Sequence, residues 1–281
     1  MRSFVLFLVL SLASPAAAQT GNTGLAALDR RDQVLGWEAV GRVDIASNGF
    51  CTGTLIATNL VLTAAHCLFD SVTAKPVDPR QITFRAGLRG EKVIASGQVI
   101  RAVAHPGYTP GEASNAKNVH HDLALLELVQ PIPAAQAAPF AVRPAGKLDK
   151  VSVVSYARGR EDTLSWQRVC TVNAQSQGLI QFDCDVTFGS SGAPVFDLSG
   201  NRAQIVSIVS SGHREGNTVS AFGMELPSLL ADLKSALNSG KGVMIAQGDA
   251  PRAQIRRITV GGSASKSADQ GRNTSAKFLR P

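Results

Sequence analysis

Residues 51–67, CTGTLIATNLVLTAAHC, hold apolar runs rich in Leu, Ile and Val around the turn-forming Asn59, and they end with a histidine set directly against a cysteine. Short runs of this kind, bounded by turn formers, are strand signals. His66 then has three readings: one ligand of a metal site, a buried core residue, or a catalytic base. The rest of the chain has to choose among them.

The strand pattern extends in both directions. AVGRVDI (39–45), QITFRAG (81–87), KVIASGQVIRAVAH (92–105), DLALLEL (122–128), KVSVVSY (150–156), LIQFDCDV (179–186), QIVSIVS (204–210) and VSAFGM (219–224) are separated by Gly, Pro, Asn and Asp at hairpin spacing. That spells an all-β barrel or sandwich. One helix is expected, in LPSLLADLKSALNSG (226–240). Pro227 suits its first turn, Leu229, Leu230, Leu233 and Leu237 share a face, and Gly240 ends it. A single helix closing a strand-rich chain argues against an alternating α/β fold. The stretch PIPAAQAAPFAVRPAG (131–146) reads as a linker between two β halves, 34–130 and 147–239, the second carrying the helix.

The two ends differ from the body. Residues 1–18, MRSFVLFLVLSLASPAAA, combine an early Arg2, an apolar run from Phe4 to Leu12 and small residues before Gln19. This is the pattern of an export signal, too short to span a bilayer permanently. No later run is long and apolar enough to span one, so no integral membrane segment is expected. Residues 19–33 form an N-terminal segment ahead of the body. The net charge is +7, and residues 240–281 carry +6 of it, leaving 19–239 balanced. That tail is poor in apolar residues and reads as a solvated extension. Electrostatic attachment of the basic tail to an anionic envelope or polymer is the functional alternative, and QIRRITV (254–260) could add a strand to the body. Neither tail nor body interleaves aromatic with basic residues, so nucleic acid is not an expected partner.

An exported chain carries Cys51, Cys67, Cys170 and Cys184 into an oxidising compartment, secreted or periplasmic, where disulfides are the default. Three pairings are open. The sequence-local pairs 51–67 and 170–184 are favoured, each closing a loop of about 15 residues for roughly 3 kcal/mol in the chain-entropy account. Cys51 and Cys67 lack the paired spacing of a tetrahedral zinc site, and no metal or other cofactor is expected.

FGSSGAPVF (188–196) sets Ser191 in a glycine-flanked turn. Glycines there allow unusual backbone angles and close approach of a substrate. The N–H groups of Gly189 and Ser191 could point at one spot, as an oxyanion hole requires. A serine hydroxyl needs a base, and the base needs a partner to orient it. His66 is the candidate base. Asp122, at the start of the apolar DLALLEL, is the candidate carboxylate, because it would be desolvated there without a partner such as an imidazole N–H. The order His66, Asp122, Ser191 and the Ala193 that breaks G-x-S-x-G both depart from the α/β-hydrolase pattern.

Together, CTGTLIATNLVLTAAHC, HHDLALLEL and GSSGAP resemble the chymotrypsin-like (trypsin-fold) serine proteases over roughly residues 34–238. The prelude WEAVGRV is most similar to their bacterial branch, which includes the glutamyl endopeptidases. The resemblance implies two six-stranded antiparallel β-barrels with a C-terminal helix, a cleft between the barrels, and a disulfide from Cys51 to Cys67 bracing the histidine loop. It implies a serine endopeptidase acting on protein or peptide through Ser191, His66 and Asp122, with Gly189 and Ser191 amides as the oxyanion hole. A catalytically silent homologue serving as a binding or adhesion module is the alternative.

Departures from the family pattern bear on activation and specificity. Ser190 stands where animal members carry an aspartate that pairs with a freshly cut N-terminus, and this chain has no IVGG-like start, so activation by that ion pair is not expected. A short pro-segment ending near DRR (29–31) and an uncut N-terminal start are both open. Asp185 matches the family position at the base of the specificity pocket, which leans toward cleavage after Arg or Lys, although Asp183 competes for a buried role. Ser210, Ser211 and Gly212 are expected to form a pocket wall. The histidine of glutamate-selective members is replaced by Val209 or displaced to His213, leaving glutamyl specificity as the alternative. His105, His120 and His121 are expected in loops, and Trp37 and Trp166 in packing.

Overall fold

The structure is a computed structural model that describes residues 23–46, 49–216 and 218–246. The export signal, QIRRITV and the tail beyond residue 246 lie outside the described residues.

Fifteen strands and two short helices make up the described chain. An N-terminal strand, β1 (Leu25–Ala27), precedes β2 (Val40–Ile45), β3 (Gly49–Ala57), β4 (Leu60–Thr63), β5 (Ile82–Ala86) and β6 (Ala95–Ala104). The helix α1 (Ala116–His120) leads to β7 (Ala124–Leu128). After a long connection come β8 (Lys150–Ala157), β9 (Arg160–Ser176), β10 (Leu179–Phe182), β11 (Pro194–Asp197), β12 (Gln204–Ile208), β13 (Ser211–Glu215) and β14 (Thr218–Met224). The chain then forms α2 (Pro227–Ser239) and β15 (Met244–Ile245).

The first sheet closes on itself. Its strands run β6-β5-β2-β3-β4-β7, and β6 pairs back with β7 to complete a six-stranded antiparallel barrel. Closure leaves no unpaired edge in the ring. Side chains alternate inward and outward with the strand period of two: in β5, Ile82, Phe84 and Ala86 are buried while Thr83 and Arg85 are partly exposed. The two residues of β15 add to the outside of β6, with Met244 opposite Ala102, so the start of the basic tail is tied to the barrel.

The second sheet has the order β12-β11-β8-β9-β10-β14-β13. This is a half-barrel rather than the second closed barrel expected from the resemblance. No ladder joins β12 to β14 among the described residues. The seam is spanned by Ser210 N–H to Phe222 O at 2.9 Å and Ser207 Oγ to Met224 O at 2.8 Å. β1 adds to β9 with Leu25 opposite Gln167, so part of the N-terminal segment belongs to this sheet.

The helix α2 has Pro227 in its first turn, buries Leu229, Leu230, Leu233 and Leu237, and ends at Gly240 in the left-handed conformation. Several elements escape a reading by apolar runs, among them β1, β9, β13 and α1. The 17 residues of β9 carry Arg, Glu, Asp and Gln and bury only part of their length. β13, SGHRE, has no large apolar side chain and takes its conformation from its ladder with β14. α1 is polar and begins with Asn115, whose side chain accepts from Asn118 N–H at 2.9 Å.

One apolar cluster spans both sheets, with Val43, Leu55, Phe84 and Leu125 from the barrel and Tyr156, Phe196 and Ile208 from the half-barrel. A second, smaller cluster lies within the half-barrel around Val151, Val153, Phe182 and Val195. At the junction, Trp37 lies 5.9 Å from Phe140, 4.9 Å from Trp166 and 5.1 Å from Phe196, centroid to centroid. The stretch 131–146 is packed into this junction through buried Ile132, Ala137 and Phe140. It also forms a parallel bridge between Val142 and Ile205.

Phe196→Ala therefore removes a ring that touches both halves. Urea unfolding should show a loss of about 3–5 kcal/mol in one cooperative transition. Two separate transitions, or a loss under about 1 kcal/mol, would contradict a shared core.

Candidate active site

His66 sits in a single 3-10 turn, Ala65–Leu68, directly after β4. The Cys51–Cys67 disulfide ties that turn to β3. Asp122 follows α1 and is 3% exposed. Its Oδ1 accepts the His66 backbone N–H at 2.9 Å, while Oδ2 faces His66 Nδ1 at 2.7 Å. Oδ2 also accepts Ser210 Oγ–H at 2.6 Å. A carboxylate can only accept, so Nδ1 carries the imidazole proton and Nε2 keeps its lone pair. Burial disfavours the charged imidazolium, but the Asp122 charge and its hydrogen bond outweigh burial and raise the His66 pKa above 6.5.

Tyr108 borders the same cleft, and burial followed by the Asp122 charge pushes its pKa up to about 12. Nothing in the run AHPGY signals that placement.

The turn before β11 has an ordered set of amides. Ser190 N–H donates to Thr187 O at 2.9 Å, Gly192 N–H to Val209 O at 2.7 Å, and Ala193 N–H to Ser190 O at 2.9 Å. The remaining two amides, Gly189 and Ser191, have no acceptor among the described residues. Gly189 and Gly192 take φ of +92° and +76°, which side chains rarely adopt. A Cβ on Gly189 would meet Phe50 at 2.3 Å, and one on Gly192 would meet Thr63 Oγ1 at 2.3 Å. Both positions thus exclude any larger residue.

One cleft is lined by His66, Asp122, Ser191, Ser211 and Gly212. Ser210 also lines it, but its hydroxyl turns to Asp122, so it orients the carboxylate as well as forming wall. Asp185 does not line this cleft. It faces a separate surface depression with Gln167 and Asp183, and it is ion-paired with Arg214. Its charge already has a partner, half-exposed at the surface, and that partner, Arg214, also lines the cleft. Instead, Val186 presses on the wall strand, its Cγ2 lying 2.7 Å from where a Cβ on Gly212 would be.

Val209 and His213 also line the cleft, whereas the other candidates fall outside it. His105 stacks on His121 at 4.9 Å and His121 meets His120 edge-on at 4.8 Å, and none of the three lines the cleft. Cys170 and Cys184 form the second disulfide. The ligating atoms of Cys51, His66 and Cys67 lie within 4.8 Å of one another. Both sulfurs are engaged in the disulfide, however, and offer no thiolate to a metal.

Comparison with known proteins adds the following. The trypsin-like peptidase domain matches residues 51–203. Serine protease 23 of Mus musculus is 30% identical over 173 residues, covering 55% of this chain and 44% of that protein. The Homo sapiens serine protease 23 is 29% identical over 175 residues, with the same coverage of 55% and 44%. The chain thus spans less than half the length of these curated relatives. Among solved structures, a Glu endopeptidase in complex with MPD superposes with a TM-score of 0.62 at 19% identity, covering 77% of this chain and 97% of that one. At that identity the shared property is the fold.

The His66 environment can be read by NMR. The His66 Cε1–H should titrate with a midpoint above 6.5, because Asp122 outweighs burial. In Asp122→Asn the carboxylate charge is lost while burial remains, and the midpoint should fall relative to the parent. Equal midpoints in the two chains would show that Asp122 does not set the imidazole charge.

Proposed function

This chain belongs to the trypsin-like peptidase family, and from that premise we propose that it is a secreted or periplasmic serine endopeptidase working through an acyl-enzyme. One observation carries the reading: His66, hydrogen-bonded to buried Asp122, shares a cleft with Ser191 beside two unpaired backbone amides. Ser191 Oγ attacks the scissile carbonyl as His66 Nε2 takes its proton. Asp122 holds the tautomer and stabilises the imidazolium. The Gly189 and Ser191 amides receive the negative oxygen, where charge develops. His66 then protonates the leaving amine and activates the water that releases the acyl group.

Export is supported by the signal-like start and by the engagement of all four cysteines in disulfides, which persist in oxidising compartments. No helix among the described residues is long and apolar enough to cross a membrane.

The test is digestion of a mixed peptide library by the exported chain and by Ser191→Ala, with cut sites read by mass spectrometry. The parent should cleave, and Ser191→Ala should be slower by at least ~10³-fold. A folded parent that cleaves nothing would point to the silent binding module.

A further inference from the structure

The turn that carries Ser191 lacks the charged anchor of the animal relatives, since the position before the nucleophile is Ser190. That serine is fully buried, faces Tyr156 O at 3.5 Å and accepts Thr187 N–H at 3.3 Å. These long contacts leave open what fixes the Gly189 peptide, whose amide must face the reacting carbonyl.

The two carbonyls on either side of that amide are held from opposite halves of the molecule. Phe188 O accepts Arg158 N–H at 2.7 Å from the end of the β8 hairpin. In a planar trans peptide the N–H points opposite to the C=O, so this bond aims the Gly189 N–H away from Arg158. Gly189 O accepts the hydroxyl of Thr52, on β3 of the barrel, at 2.8 Å. The same Thr52 Oγ1 accepts Tyr156 N–H at 3.0 Å. Thr52 is fully buried, and its own backbone N–H donates to Ser191 O at 2.9 Å. One residue of the first barrel therefore grips both Gly189 and Ser191, and links them to β8.

Resting on the serine-protease reading, we propose that Thr52 is a positioning residue for the oxyanion hole, its hydroxyl bridging Tyr156 N–H and Gly189 O. A hydroxyl donates one proton and accepts at its lone pairs, so it can hold a carbonyl on one side and an amide on the other. Both bonds are inaccessible to water, and losing the hydroxyl leaves a buried carbonyl and a buried amide unpaired. The Gly189–Ser190 peptide, freed at its carbonyl, can then rotate about the Gly189 ψ and relax the turn that carries the oxyanion amides. Substrate contacts elsewhere in the cleft are untouched, so the loss belongs to the transition state rather than to ground-state binding.

The experiment compares parent, Thr52→Val and Thr52→Ser on one cleaved peptide and on a peptide aldehyde, whose hemiacetal oxygen uses the oxyanion hole. Near-UV circular dichroism checks the fold of each. Thr52→Val should lose ~10- to 100-fold in kcat with KM within about twofold, and aldehyde affinity should fall in parallel. Thr52→Ser keeps the hydroxyl and should restore kcat to within about threefold of the parent. Should the valine chain not fold, Thr52→Cys, a weak donor, takes its place and must show the same split between kcat and KM. The role of Thr52 is overturned if the folded Val or Cys chain turns over like the parent, if Ser fails to rescue, or if the loss appears in KM alone. Labelling by a fluorophosphonate separates the two failures. A parent not labelled at Ser191 refutes the protease reading itself, whereas a labelled, active parent with an unaffected variant refutes only the Thr52 assignment.

Discussion

Asp122 is a carboxylate held almost wholly out of water, and a buried charge must be met by donors or it disfavours the fold. It draws them from both halves: the backbone and ring N–H of His66 from the barrel, and the Ser210 hydroxyl from the half-barrel. The cleft consequently exists only while the two sheets are docked. Docking is supplied by the apolar cluster around Trp37, Phe140 and Phe196, which neither sheet completes alone. Stability and site geometry thus rest on the same contact surface.

The catalytic turn is fastened by the same junction with neutral groups. Thr52, Tyr156 and Ser190 contribute hydroxyl and backbone hydrogen bonds. None of these hydroxyls titrates near neutrality: the one phenol, Tyr156, is driven upward by burial and donates to Leu88 O at 2.9 Å. A neutral brace of this kind does not depend on the charge of an N-terminus. It requires close backbone approach, which is why Gly189 and Gly192 have no room for a Cβ.

Charge is arranged differently away from the cleft. Asp185 is paired with Arg214, and Arg160 lies close enough for the Asp185 charge to oppose the effect of its burial. Exposed pairs of this sort contribute little stability, but they remove a carboxylate from competition for a cationic substrate. The rim near Ser191 instead shows Phe188, 71% exposed, with the Arg158 guanidinium 4.4 Å over its ring.

Local sequence was enough to read the strands with their own apolar runs, the Leu-faced α2, and the short-range cysteine pairs, because each of these signals lies within a few neighbouring residues. It also offered His66, Asp122 and Ser191 as candidates, which the tertiary structure brings to one cleft. Strands β9 and β13 were not legible, because a polar strand is held by its neighbour's ladder rather than by its own periodicity, and β1, the three residues Leu25–Ala27, is too short to show a period. The open seam of the second sheet, the Asp185–Arg214 pair, the turn of Ser210 toward Asp122 and the bridge made by Thr52 were decided by the tertiary structure alone. The last three join residues 29 to 137 positions apart, and a hydrogen bond at that separation leaves no trace in either local stretch.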